Sequence, residues 1–187
     1  MILEQELELQ ELLKQWREER HLTVESQRDG LMGNLCEEMA EYYRAINDDE
    51  RIDALCDIYV FCMNSLDEDL KVAIDDFDRT LISEIYITQR FKLRLVSEIE
   101  LKLIELKAKD IIVDTFNLYL YVFMRCVENE ALRLGYDFYK CMLETIEEIS
   151  SRVGHYDENI HKFVKDKSDE AKAKWYKADY SKCKIKG

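Results

Sequence analysis

The chain has 187 residues and a formal charge of −13, with 47% apolar and 36% charged residues. That length holds one domain with a sizeable core, and so acidic a chain is excluded as a general binder of duplex nucleic acid. With no proline and only five glycines, little in it interrupts helices, and the expected fold class is an all-α helical bundle.

In chain order, residues 3 to 20 read as a first helix ending near "RHLT". "SQRDGLMG" reads as the connection, loosened by Gly30 and Gly33. Leu31, Leu35, Met39, Tyr42 and Ile46 recur at the helical period and predict a second helix over 31–46. "NDDE" at 47–50 predicts a tight turn with Asp49 as helix N-cap, and 50–66 a third helix, apolar on most sides. Residues 68–108 are amphipathic enough for two charged helices. A helix over about 110–133 should stop at Gly135 in "LGYD", a good residue for the position after a helix end, and another should cover 137–152. Residues 153–187 read as a basic, loop-rich segment with a short helix near 168–177. The whole is expected to be one domain.

Charge is unevenly spread, since Lys162 to Lys186 holds nine lysines against four acids. An acidic body with a basic C-terminal segment suits a metal-polyphosphate ligand between them, or simply a solvated face and tail. "MILEQELELQ" lacks a cationic start, so no signal peptide is expected. Asp57 and Asp114 break the longest apolar runs, so no membrane span is expected. Six cysteines without a CxxC pair suit reduced thiols in a cytoplasmic protein.

The informative stretch is "ALCDIYVFCM", residues 54–63, where Asp57 stands among apolar residues. An unpaired buried charge costs several kcal/mol, on the order of the stability of a small domain. At about 100° per residue, Asp53, Asp57 and Asn64 share one stripe of the third helix. "CEEMAE" on the second helix supplies Glu37, Glu38 and Glu41. If the tight turn pairs the helices antiparallel, Glu41 lies level with Asp53 and Glu38 with Asp57, within about 3 Å along the axis. Four converging carboxylates call for a hard divalent cation, which takes oxygen ligands, and Mg²⁺ is the natural one because it shares its shell with phosphates. The bland alternative is a solvated glutamate face, which Asp57 resists. "RIDALCDIYVFCM" and "AKDIIVDTFNLYL" also echo each other, each with two aspartates four apart.

The pattern EExxE, short turn, then acids ending in "DALCDIYVF" resembles the all-α NTP pyrophosphatases, the superfamily of MazG, the dimeric dUTPases and phosphoribosyl-ATP pyrophosphatase. It is most similar to short phage-borne MazG-like proteins, along most of the chain. The resemblance implies Mg²⁺ (or Mn²⁺) held by Glu38, Glu41 and Asp57. The family's fourth acid lies three residues before Asp57, where this chain has Ala54, so Asp53 is the nearest stand-in. It implies hydrolysis of a nucleoside triphosphate to the monophosphate and pyrophosphate. Glu37 or Glu41 would activate water, and Lys162, Lys165, Lys167 and Arg152 would neutralise the leaving pyrophosphate. Asn64 would bond a sugar or base, or is a core amide. A homodimer or homotetramer is implied, and residues 67–110 exceed a minimal family member, as an added helical hairpin or part of the oligomer contact. Two rivals remain: a non-catalytic helical interaction protein with a degenerate site, favoured by Ala54, and a related phosphoribosyl-ATP or modified-nucleotide pyrophosphatase.

Overall fold

The computed structural model of the protein describes residues 1–66, 115–159 and 162–186, apart from the side chains of Thr115, Leu118, Tyr119 and Lys162. The helices expected over 68–108, and Asp114, lie outside these residues. The described chain is mostly helical: α1 (Leu3–Glu18), α2 (Val24–Arg44), α3 (Asp48–Asn64), α4 (Thr115–Arg133), α5 (Phe138–Ser151) and the single turn α6 (Asp169–Lys172). Strands β1 (Gly154–Asp157) and β2 (Lys162–Lys165) follow α5, and a 3₁₀ turn covers Tyr180–Cys183.

Helix α2 begins at Val24, so "SQRDGLMG" is helix and not connection. The cause is local. The Thr23 hydroxyl accepts from Ser26 N at 3.2 Å and the Ser26 hydroxyl from Thr23 N at 3.1 Å, a reciprocal N-terminal box. Gly30 and Gly33 cost about 1 kcal/mol each inside a helix, and propagation from that cap carries through them. Asn47, not Asp49, caps α3: its side-chain oxygen accepts from Glu50 N at 2.9 Å, and Glu50 returns a bond to Ile46 N at 2.9 Å. Asp49 instead accepts from the Tyr136 hydroxyl.

The end of α4 is as expected. Gly135 adopts φ 88°, its N–H reaches Leu132 O at 2.9 Å, and Tyr136 N reaches Ala131 O at 3.0 Å. This is the paired bonding that ends helices at a left-handed glycine. The loop-rich reading of the tail is corrected by an antiparallel hairpin, β1 against β2, pairing Gly154 with Lys165 and Asp157 with Lys162. Four-residue strands carry too little alternation to announce themselves. Gly154 is required there, because a Cβ would overlap the Val164 carbonyl oxygen and the Phe163 ring.

The core gathers Leu9 and Leu13 of α1, most of α3, and the inner faces of α4 and α5. Helix α3 is its axis, buried from Ile52 to Asn64 except on the stripe of Asp53, Asp57 and Phe61. Tyr59 meets Phe138 edge-on with ring centres 5.2 Å apart, a favoured aromatic geometry. Helix α3 has no basic residue in its last turn. Its C-terminal carbonyls are served from other helices instead: Arg17 donates to Asn64 O (3.2 Å) and Arg28 to Ser65 O (2.9 Å), cations placed where the helix dipole favours them. Five cysteines are buried and Cys36 is exposed. Among the described residues, no helix is long and apolar enough to cross a membrane.

Candidate functional site

Helices α2 and α3 pack along each other through the three-residue connection 45–47. That antiparallel pairing sets the carboxylates of "CEEMAE" against the polar stripe of α3. Glu38 is half-buried, while Glu37 and Glu41 are exposed. The Glu38 carboxyl is pushed up to about 8, by burial first and then by Asp57, Glu41, Asp53 and Glu37 in that order. Asp57 is half-buried and pushed up to about 7, by burial first and then by Asp53. Asp53 is raised too: it reaches solvent, yet the protein around it is the largest cause, followed by Glu148 and Glu41 among the acids. Asp57, Glu41, Asp53 and Glu37 all act on the Glu38 carboxyl, Asp57 most among the charges.

Ala54 is buried, at 2% exposure. An acid there would point into packed surface, whereas Asp53 stands on the accessible stripe and is the first charge acting on Asp57. Position 53, not position 54, carries the carboxylate that acts most on Asp57.

Cations approach from the C-terminal side. Arg152 follows α5, and its positive charge lowers the carboxyls of both Asp53 and Asp57. Lys165, at the end of β2, acts on Asp57 in the same sense. Its own ammonium is held below the usual value by burial and then by Arg152, with Lys167 contributing. The hairpin with its obligatory Gly154 is what carries Lys165 to this place. The Lys162 side chain lies outside the described residues.

Asn64 is not part of the group. It is fully buried, and its side-chain oxygen accepts from Arg17 at 3.4 Å, so it ties α3 to α1.

Two contributors were missed by sequence reasoning. Glu148 of α5 faces Asp53 and Asp57, is ion-paired with Arg152, and accepts from Ala178 N at 2.7 Å. Its signal was the four-residue spacing to Arg152, which on a helix places the two side chains together. Tyr180 donates to Asp53 Oδ1 at 2.7 Å, and nothing local distinguishes it from the other ten tyrosines.

Among the described residues, no three His, Cys, Asp or Glu side chains stand close enough together, as placed, to hold a metal. The donor set fits one in its chemistry. All donors are carboxylate oxygens, and two of the carboxyls are raised into the neutral range, by burial first and then by neighbouring acids, a crowding of negative charge that a hard divalent cation would relieve.

No protein-family model, no curated protein and no solved structure matches the chain.

Proposed function

We propose that the protein is a Mg²⁺-dependent nucleoside triphosphate pyrophosphohydrolase, working as a homodimer or homotetramer. The observation that carries the reading is the carboxylates of the paired helices α2 and α3, with Glu38 raised by burial and then by Asp57, and Asp57 by burial and then by Asp53. A fold retains so costly a cluster where an external cation completes it. Glu38, Glu41, Asp53 and Asp57 would hold Mg²⁺, with Mn²⁺ as substitute. When bound, that ion neutralises phosphate oxygens and acidifies an attacking water.

The chain's own residues supply the rest. Glu37 and Glu41 are exposed at the rim, where a carboxylate can orient the water and take its proton. Attack at the α-phosphorus forms the new P–O bond, and the bond to the bridging oxygen breaks with its electron pair leaving on pyrophosphate. Arg152 and Lys165 stand beside the acids with their charge directed at the same space, and positive groups there stabilise the charge that develops on the leaving pyrophosphate. Lys167 extends that positive edge.

The test is incubation with each NTP and dNTP plus Mg²⁺, with separation of products. Monophosphate and pyrophosphate in equal amounts is the expected result. Diphosphate and phosphate, or no turnover across the panel, overturns the reading.

A further inference from the structure

The tail of the molecule does something that a surface tail need not do. Residues 176–185 lie across α5 and end against the corner between α4 and α5. Asp179 N bonds Glu144 Oε2 (3.0 Å), Asp137 N bonds Cys183 O (2.8 Å), and Ile185 N bonds Gly135 O (2.8 Å). Between these anchors the segment reaches two acids of the candidate site. Ala178 N holds Glu148, and the Tyr180 hydroxyl holds Asp53.

Tyr180 itself is buried, at 6% exposure. Its hydroxyl lies 2.7 Å from Asp53 Oδ1 and 3.0 Å from Thr145 Oγ1. A phenol has one proton, and an ionised carboxylate only accepts. The proton therefore goes to Asp53, and the Thr145 hydroxyl oxygen lies beside the phenol oxygen. Thr145 is in turn anchored to Cys141 O at 3.0 Å. The bond from Tyr180 to the Asp53 carboxylate is charge-assisted and so stronger than a neutral one. A phenylalanine would fill the same space without it.

We infer that Tyr180 is a positioning residue for the acidic helix pair: its hydroxyl fixes one oxygen of Asp53 and so leaves the other in a set place for a divalent cation. This rests on the metal-dependent reading above. Partners that hydrogen-bond ligating carboxylates typically matter 10–100-fold in metal affinity, of which about tenfold is expected for one hydroxyl.

Metal-free full-length protein would be titrated with Mn²⁺, with free ion read from its electron paramagnetic resonance signal. Tyr180→Phe should bind Mn²⁺ about tenfold more weakly than the parent. Tyr176→Phe is the control, since Tyr176 lies in the same tail but bonds Glu144, and it should bind as the parent does. Thr145→Val, which removes the hydroxyl beside the phenol oxygen, should weaken binding by a smaller factor and serves if Tyr180→Phe does not fold. The inference fails alone if the parent binds Mn²⁺ and Tyr180→Phe binds it equally, or if Tyr176→Phe is as weak as Tyr180→Phe. A parent that binds no Mn²⁺ overturns the metal-dependent reading together with it.

Discussion

Two groups of glutamates in this molecule meet opposite fates. On α4, Glu130 is buried at 2% exposure, yet its carboxyl is held below the ordinary value. Burial alone would raise it. Two bonds from Arg133, at 2.9 and 2.5 Å, and one from the Tyr42 hydroxyl at 2.5 Å outweigh that. On α2, Glu38 is only half-buried, yet its carboxyl is pushed up to about 8, by burial first and then by four neighbouring acids. The protein neutralises the first acid with its own cation and leaves the second group repelling itself. Burial disfavours the charged form of both; what differs is the sign of the groups around them.

The sharpest way to break this comparison is Asp57→Asn. It should cut pyrophosphohydrolase turnover by about 100-fold or more, the scale expected when a metal site loses a ligand or its support. The metal-free variant should remain folded, because it loses a charge that burial disfavours. Unfolding of the variant, or full turnover, would show that Asp57 is structural.

Next in size is Glu130→Gln, with the reverse pattern. Losing charge-assisted bonds at a buried site should cost about 1–3 kcal/mol of stability, read as a lower denaturant midpoint, while turnover per folded molecule stays unchanged.

The third is pH dependence. Glu38 and Asp57 hold their protons more tightly in the folded protein, from ordinary values of 4.5 and 3.8 to about 8 and about 7. Between those limits folding takes up protons, so metal-free stability should fall as pH rises from about 5 to about 8. Glu130, lowered on folding, works in the opposite sense, and its contribution is lost as pH falls toward its folded value. Mn²⁺ needs ionised carboxylates, so the melting temperature it adds should be larger at pH 8 than at pH 6. Equal stabilisation at both would place the ion elsewhere.

The smallest effect is at the cationic edge. Lys165→Met should raise KM for the triphosphate by up to about tenfold, equivalent to about 1.4 kcal/mol, with little change in stability, since the residue keeps solvent contact although its ammonium is partly desolvated. An unchanged KM would remove Lys165 from the substrate's reach.

Sequence periodicity was enough for the axis of the fold and for the pairing of α2 with α3. An aspartate in an apolar run admits few explanations, and a tight turn fixes which residues lie level. It was also enough for the helix stop at Gly135. It was not enough for the start of α2, where one side-chain box at Thr23 outweighs two glycines, nor for the hairpin, whose pairing depends on a single missing Cβ at Gly154. Asn64 could not be sorted either. Its stripe on α3 is shared with Asp53 and Asp57, and only the burial of Arg17 beside it makes it a core tie. Tyr180 was beyond reach, because the bond that matters joins residues 127 apart in sequence.

That separation has a consequence for how the molecule is made. The α2–α3 pair closes over a three-residue connection, and such local contacts form early at little entropic cost. The tail reaches Asp53 only once α4 and α5 have given it a surface to lie on. In refolding, the helical signal and the core should return first and Mn²⁺ affinity last. Simultaneous recovery of both in stopped-flow refolding would show that the tail docks along with the core. In the order expected, the intermediate is a folded bundle with its acids assembled but not yet oriented, and maturation consists of one late segment settling into place.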